Sequence, residues 1–301
     1  MRTPAQRATL PLAVALSAAA AACGGSAPEL PQIPPATGIL KPPPAGAVVE
    51  GKQAGKLALG LAATRQGSRT ELVASVLASS GAQNGLAVWF RAGAKTVVAK
   101  PCGSGCYRAV TAPTRNVTVV VGRNPLHEAR FELPARLPAP SAASLVRRAT
   151  AVFRRLHGVQ YVEQLSSGPG NGIVSTWTQV APNRFEYRIR RGAAAVIVGA
   201  KRWDKTSPGG HWIRTTAQPI RVPEPIWAGA IANAHLLDTM RIGGRKVDVV
   251  SFFNSGIPAW FTIDVDAKTL RPVSLQMIAA AHFMHHDYTS FNSKLRVVPP
   301  R

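Results

Sequence analysis

Acidic residues are scarce in this chain of 301 residues. It has 14 aspartates and glutamates against 36 lysines and arginines, so its formal net charge is +22. No aspartate precedes Asp204, which leaves the region before it poor in groups for acid–base catalysis. The sequence also has no Gly-x-Ser-x-Gly, no His-Glu-x-x-His, no P-loop and no dinucleotide-binding glycine pattern. These absences argue against an enzyme.

The positive charge is spread along the chain rather than concentrated in one run. A spread charge is typical of a solvated surface, and attraction to anionic lipid or to an anionic wall polymer is the functional alternative. No helix-turn-helix, zinc-finger or RNA-binding signature is present, so nucleic acid is not an expected partner. Long apolar runs are missing after the N-terminus, which excludes a later membrane-spanning helix.

Cysteine is also rare, and the three cysteines divide into one plus two. Cys23 ends an uncharged apolar run, residues 8–22, that follows Arg2 and Arg7. The run is too short to span a bilayer, since a helix needs about 20 residues, and residues 1–23 are therefore predicted to be a signal peptide. Its end, Ala-Ala-Ala-Cys-Gly-Gly-Ser, resembles a bacterial lipobox. We expect acylation of Cys23; cleavage after Ala-x-Ala, with a free thiol left behind, is the alternative.

The other two cysteines lie close together in Lys-Pro-Cys-Gly-Ser-Gly-Cys-Tyr, residues 100–107. The glycines between Cys102 and Cys106 allow a tight reversal. In an oxidising compartment the pair predicts a disulfide on one hairpin. A soft-metal site made of two thiolates is the alternative, but no His or Met lies near in sequence.

Composition divides the rest of the chain. Residues 24–46 are rich in proline and predict an extended tether. Residues 47–135 contain short strand-like segments between Gly, Asn, Ser and Pro turns, which predict an Ig-like β-sandwich. After a linker, residues 136–140, the second domain, residues 141–301, begins with an amphipathic helix and continues as a series of strands.

The expected fold class is mainly β, with an α+β second domain. That second domain is predicted to be a curved antiparallel half-barrel sheet covered by helices, with a second, helical or irregular, cover at residues 225–237.

Large aromatic residues concentrate in the second domain. They could fill an ordinary core, or some could line a cavity for an apolar ligand. The cavity candidates are Trp177, Tyr187, Trp203, Trp212, Trp227, Phe252 and Trp260.

A histidine-rich run, residues 282–287, is the sharpest local cluster. His282, Met284 and His286 would share one face of a strand, with His285 on the other. Imidazole and thioether together suit copper, so these four residues are metal-ligand candidates. Core packing and surface histidines are the alternative interpretation.

The order of helix and strands from Ser141 onward resembles the LolA-like and LppX/LprG-like lipoprotein-carrier superfamily. The cues are Gly-Ala-Lys-Arg-Trp-Asp at residues 199–204, His-Trp at 211–212, Pro-Ala-Trp-Phe-Thr-Ile-Asp at 258–264 and Leu-Arg-Pro-Val at 270–273. The resemblance implies a half-barrel closed by helices around an apolar cavity. It also implies binding of acyl chains without catalysis and without a cofactor.

The first domain is similar to YtkA-like and CopC-like β-sandwich modules found outside actinobacterial membranes. The cue is the Pro-Cys-Gly-x-Gly-Cys-Tyr hairpin of residues 101–107. Copper-binding CopC modules use several His or Met ligands, whereas this region has only His127 and no Met. The resemblance therefore implies the fold but no copper site here.

The expected protein is an extracytoplasmic lipoprotein of an actinobacterium-like envelope, anchored to the outer face of the cytoplasmic membrane. Its second domain is expected to bind a lipid or other apolar ligand. The alternatives are a copper-handling protein using the histidine run, and a structural envelope adaptor that binds a protein partner.

Overall fold

The computed structural model describes residues 40–122 and 125–301. The predicted signal peptide, Cys23 and most of the predicted tether lie outside the described residues. No helix within the described ranges is long and apolar enough to cross a membrane. Strands dominate these ranges, as predicted, and they include one α-helix.

Two antiparallel sheets pack face to face in the first half of the chain. The strands are β1 (Val48–Ala54), β2 (Leu57–Gln66), β3 (Arg69–Ala78), β4 (Gly81–Ala82), β5 (Val88–Ala92), β6 (Lys95–Val98), β7 (Lys100–Gly103), β8 (Cys106–Thr111), β9 (Asn116–Val121) and β10 (His127–Glu132). One sheet has the order β1-β2-β3-β8-β7, with β4 on β3, and the other has the order β10-β9-β5-β6. Alternate side chains of both sheets meet in one apolar core, so the region is a β-sandwich.

Aromatic side chains fill the centre of the sandwich. Phe90 and Phe131 come from one sheet and Tyr107 from the other, and all three are buried. The Tyr107 hydroxyl accepts a hydrogen bond from the Leu86 amide at 3.0 Å and donates one to the Gln83 carbonyl at 2.8 Å. Both bonds satisfy a buried polar group and fix the connection between β4 and β5.

A disulfide joins Cys102 and Cys106 across the turn between β7 and β8, with their Cα atoms 5.0 Å apart. Gly103 and Gly105 have positive φ angles, which glycine adopts without steric cost. The Gly105 amide is held by the Asn84 side chain at 2.8 Å. The cysteines therefore form the local hairpin link that their spacing predicts.

The helix α1 (Ala143–Arg154) follows the predicted linker. Val146, Ala149 and Phe153 lie on one face and are buried, while arginines occupy the exposed face. This amphipathic pattern is what allows the helix to cover a sheet. Arg154 in the last turn is favourably placed for the helix dipole.

One sheet of eleven antiparallel strands forms the second half of the chain. Its strands are β11 (Gly158–Ser166), β12 (Ile173–Val180), β13 (Arg184–Ile189), β14 (Ala194–Val198), β15 (Lys201–Lys205), β16 (Ile213–Thr216), β17 (Ile231–Ile242), β18 (Arg245–Asn254), β19 (Ala259–Asp266), β20 (Pro272–Ala279) and β21 (His282–Phe291). The order is β16-β15-β14-β13-β12-β11-β21-β20-β19-β18-β17. Because β16 and β17 are its two edges, the sheet stays open, which confirms the predicted half-barrel.

The second cover, predicted at residues 225–237 as helical or irregular, contains no helix. Residues 225–230 are irregular, and β17 begins at Ile231 and pairs with β18. Pro223 and Pro225 lack backbone donors, and Gly229 has a positive φ angle, so this stretch disfavours a helix. Among the described residues α1 is therefore the only helical cover of the sheet.

The eleven-stranded sheet buries both of its faces. The inner face is the one that packs against α1. The outer face carries Phe253, Trp260 and Ile278, which pack against Val49 and Ala58 of the sandwich. Two-sided burial explains why adjacent residues along β18 and β19 are both large and apolar.

Candidate functional site

The inner face beneath α1 is packed with side chains. Trp227 and Phe252 are fully buried there, and Phe153 of the helix meets Trp227 edge to face at 5.1 Å. The Trp227 indole N–H donates to Thr150 Oγ1 at 3.0 Å, which fastens the irregular segment to the helix. These two cavity candidates therefore act as core residues in this structure.

The other five cavity candidates lie in three places. Trp177 and Tyr187 are neighbours on the inner face, with ring centroids 5.1 Å apart. Trp260 is buried on the outer face against the sandwich. Trp203 and Trp212 are half-buried on the outer face of β15 and just before β16. The structure thus does not gather the seven candidates around one space.

A groove of about 490 Å³ opens between α1 and the start of β17. It is lined by Arg147, Thr150, Ala151, Arg154, Arg155, Ala228, Gly229 and Ile231. The floor is mainly apolar, and the three arginines stand around it. We call this feature the helix groove. None of its lining residues was among the predicted site residues.

The arginines around the helix groove differ in whether they have an acidic partner. Arg154 is bound by Glu224, with Nε 2.8 Å from Oε2, and this hydrogen bond raises the pKa of Arg154 above its ordinary value. Arg147 and Arg155 have no acidic partner among the described residues. These two exposed guanidinium groups remain available to an anion at the groove.

A polar network interrupts the apolar inner face between β11, β12 and β21. His286 Nε2 lies 2.8 Å from Glu163 Oε2, and both side chains are buried. Ser175 Oγ donates to Glu163 Oε1 at 3.2 Å, and the Trp177 indole N–H is shared between Ser175 Oγ at 2.7 Å and Glu163 Oε1 at 3.2 Å. The carboxylate thus has three partners, as a buried carboxylate requires.

Tyrosines surround this network. The Tyr161 ring stacks on His286 at 4.4 Å and lies 5.3 Å from the Tyr288 ring. Burial, reinforced by the nearby Glu163 charge, raises the pKa of Tyr161 far above its ordinary value. The pKa of Tyr288 is also raised, first by burial and then by Tyr161 and Glu163. Both tyrosines therefore stay neutral at physiological pH.

Sequence reasoning missed Glu163 as part of a site. The signal was present: Glu163 stands in a row with Val159, Tyr161 and Leu165 on one face of β11, and these apolar neighbours are buried. An acidic residue in such a row needs buried partners. Its partner His286 lies 123 positions away in sequence, and only the pairing of β11 with β21 brings the two together.

The four predicted metal ligands do not converge. His282, Met284 and His286 share the inner face, but His282 and His286 are four residues apart on β21, which is about 13 Å along a strand. Met284 is buried in the core between them. His285 points to the other face and pairs with Asp287 at 3.1 Å. No group of three His, Cys, Asp or Glu side chains in the described ranges is placed to hold a metal.

His282 and His286, which both lie on the inner face, share one feature of their environment. His286 Nδ1 and His282 Nδ1 are buried without hydrogen-bond partners. Burial lowers the pKa of His282, against a smaller opposing effect of Glu163. Since charged imidazole is disfavoured there, His282 is a neutral residue at physiological pH.

An open antiparallel sheet with one amphipathic helix on its inner face is the architecture that these elements define. No protein-family model matches the chain, and no curated protein matches it. Among solved structures, lipoprotein LppX from Mycobacterium tuberculosis is 12% identical, with a TM-score of 0.41, and the match covers 52% of this chain and 97% of LppX. A LolA superfamily protein from Nitrosomonas europaea is 14% identical, with a TM-score of 0.24, and the match covers 54% of this chain and 96% of that protein.

Both solved structures match about half of this chain. The similarity of the first domain to YtkA-like and CopC-like modules stays a prediction.

Proposed function

We propose that this chain is a non-catalytic, extracytoplasmic lipoprotein that binds a lipid or similar apolar ligand in its second half. The observation that carries the proposal is the helix groove. Its volume of about 490 Å³ lies within the range of small-molecule sites, about 300–1,000 Å³. An apolar floor with cations at the margin suits an amphiphile better than a small polar metabolite.

The groove indicates how such a ligand would lie. Ala151, Ala228 and Ile231 offer contact to an acyl chain. Arg147 and Arg155 would receive an anionic head group through charge-assisted hydrogen bonds. The groove walls are fixed by the bonds of Trp227 to Thr150 and of Arg154 to Glu224, so the site is preformed.

The tether is the second part of the proposal. Acylation at Cys23 would hold the chain at the outer face of the cytoplasmic membrane, and the proline-rich residues 24–46 would give it reach. The support comes from the sequence alone, because Cys23 lies outside the described residues.

Native mass spectrometry of the full chain in mild detergent, with phosphatidylglycerol added as the probe, tests the binding. Ala151→Trp should fill the groove and lower the bound fraction, whereas Ser144→Trp, on the same helix but outside the groove, should not. Arg147→Gln with Arg155→Gln should weaken phosphatidylglycerol more than neutral diacylglycerol. Recovery of the wild type without lipid in repeated trials, or equal binding by both tryptophan variants, would contradict the proposal.

A further inference from the structure

A tryptophan-containing basic surface lies on the outer face at the β16 end of the large sheet. Strand register puts Trp203 opposite Val196 on one side and Arg214 on the other, so these side chains share the face. The same register places Lys201 and Lys205 on this face. We call this the Trp–Arg face; its members are Arg188, Lys201, Trp203, Lys205, Trp212 and Arg214.

Two of the cations lie close to the ring of Trp212. Arg188 is 6.0 Å and Lys205 is 5.9 Å from the centroid of its ring. Both distances are in the range of cation–π attraction. The indole is therefore half-buried, with two positive charges beside its ring.

The remainder of the outer face is already covered. The sandwich packs on the part that carries Phe253 and Trp260. The C-terminal residues Leu295 and Val297 pack near Val196, and Arg184 fixes them by donating to the Val297 carbonyl at 2.9 Å. Neither cover reaches β16, where all four residues are exposed. Trp203 and Trp212 pack against this C-terminal cover on one side and are half-buried. What remains open is β16, the basic residues beside it and the exposed part of the two indole rings.

The charge of the Trp–Arg face is strongly positive. The one acidic residue on the outer face of β13–β16 is Glu186, and it is paired with Arg188. The Arg202–Asp204 pair lies on the opposite face of β15 and does not compensate. Lys201, Lys205 and Arg214 have no acidic partner among the described residues.

We propose that the Trp–Arg face docks on the anionic surface of a lipid bilayer. Tryptophan is enriched at the membrane interface because its ring is apolar and its N–H is polar. The lysine and arginine side chains beside it are attracted by the negative surface potential of anionic lipids. An open, strand-edge surface with both residue types fits a flat anionic partner. The docking requires no ligand in the helix groove and goes beyond the proposed lipid binding.

The test is sedimentation of the full chain with vesicles of phosphatidylcholine alone and of phosphatidylcholine mixed with phosphatidylglycerol. Any acyl anchor adds equally to both vesicles, so the difference between them reports the charged surface. Lys201→Gln, Lys205→Gln and Arg214→Gln together should lower partition to the anionic vesicles about 100-fold at low salt. Partition to neutral vesicles should not change, and added salt should reduce the difference.

A matched triple variant in the sandwich, Lys95→Gln, Lys100→Gln and Arg108→Gln, removes the same charge from exposed positions. It should change partition no more than a few-fold. Quenching of tryptophan fluorescence by brominated phosphatidylcholine in the anionic vesicles should fall in Trp212→Phe, a change that keeps an aromatic ring at the surface. Equal losses in the two triple variants, unaltered quenching in Trp212→Phe, or no preference for phosphatidylglycerol would each overturn the proposal.

Discussion

Gly60 lies directly against the indole of Trp260. A Cβ atom at Gly60 would stand 2.0 Å from Trp260 Cζ2, and one at the neighbouring Gly51 would stand 2.6 Å from Trp260 Cβ. The two glycines are directly paired residues of β1 and β2. Because neither has a side chain, the Trp260 ring packs against the backbone of the sandwich there. Glycine within a strand is expected where another part of the chain approaches closely. The contact fixes how the sandwich meets the outer face of the large sheet.

The first prediction is that Gly60→Ala destabilises the protein by about 2 kcal/mol, the cost typical of an overpacked core. The methyl group has no space unless Trp260 or the sheet behind it moves. Chemical denaturation, followed by the loss of tryptophan fluorescence, measures the effect.

Gly172→Ala is the control, because a Cβ there meets nothing within 4 Å and its φ angle is not in the left-handed region. It should leave the denaturation midpoint nearly unchanged. A Gly60→Ala protein as stable as the wild type would contradict this prediction, because it would show that the contact between residue 60 and Trp260 has room for a methyl group.

Trp260 also shows what strand patterns can and cannot predict. It lies in the sequence cue of residues 258–264, which forms most of the strand β19. That cue did not indicate which face of that strand met α1 and which met the sandwich, because both faces are apolar. A pair of adjacent large apolar residues on neighbouring strands, as at Phe252–Phe253 and Trp260–Phe261, is the signal of a sheet buried on both sides. The cavity interpretation of Trp260 required one face to be open.

Part of the strand order could be predicted, because short turns join successive strands. Short turns between successive segments favour antiparallel neighbours, so the pairing of β12 with β13 and of β18, β19 and β20 with one another follows from sequence. The strand β17 does not, because its first residues lie where a cover was predicted. The strand β11 pairs with β21, which lies more than a hundred residues later in the sequence. Local sequence patterns carry no information about such a distant pairing. The Glu163–His286 contact depends on that pairing and could not be predicted from the sequence for the same reason.

The second prediction concerns this contact. His286→Ala should cost about 3 kcal/mol, because it removes one partner of a buried carboxylate and leaves a space beneath Tyr161. His285→Ala, one residue earlier on the same strand, removes an exposed imidazole paired with Asp287 and should cost less than about 0.5 kcal/mol. Thermal unfolding of both variants at one pH gives the comparison. Equal losses would mean that the buried pair adds nothing beyond an exposed one.

The third prediction concerns the disulfide. Replacing Cys102 and Cys106 together by serine should lower the free energy of unfolding by about 2 kcal/mol, since the bond closes a loop of only a few residues. The sandwich core, with Phe90 and Phe131, should remain folded without it. The measurement is the denaturation midpoint of the double variant against the oxidised wild type. Complete unfolding of the variant would show that the hairpin link supports much more than one turn.

The fourth prediction is a pH dependence centred on Glu50. This side chain is buried on β1, and one of its oxygens has no hydrogen-bond partner. Burial raises its pKa from 4.5 to about 7, while Lys52 opposes the rise and Glu132 adds to it. The folded state therefore keeps a proton that the unfolded chain releases near pH 4.5. The stability due to Glu50 is full below that pH and is lost as pH rises through 7.

The difference between those two pKa values corresponds to about 3 kcal/mol at pH 8. Glu50→Gln, which is neutral at every pH, should therefore match the wild type at pH 4 and exceed its stability by up to that amount at pH 8. Glu128→Gln changes an exposed glutamate paired with Arg91, and its difference from the wild type should vary little over the same range. Denaturation curves of the three proteins at several pH values measure these differences. A constant difference between Glu50→Gln and the wild type from pH 4 to pH 8 would mean that Glu50 ionises as freely in the folded protein as in the unfolded chain.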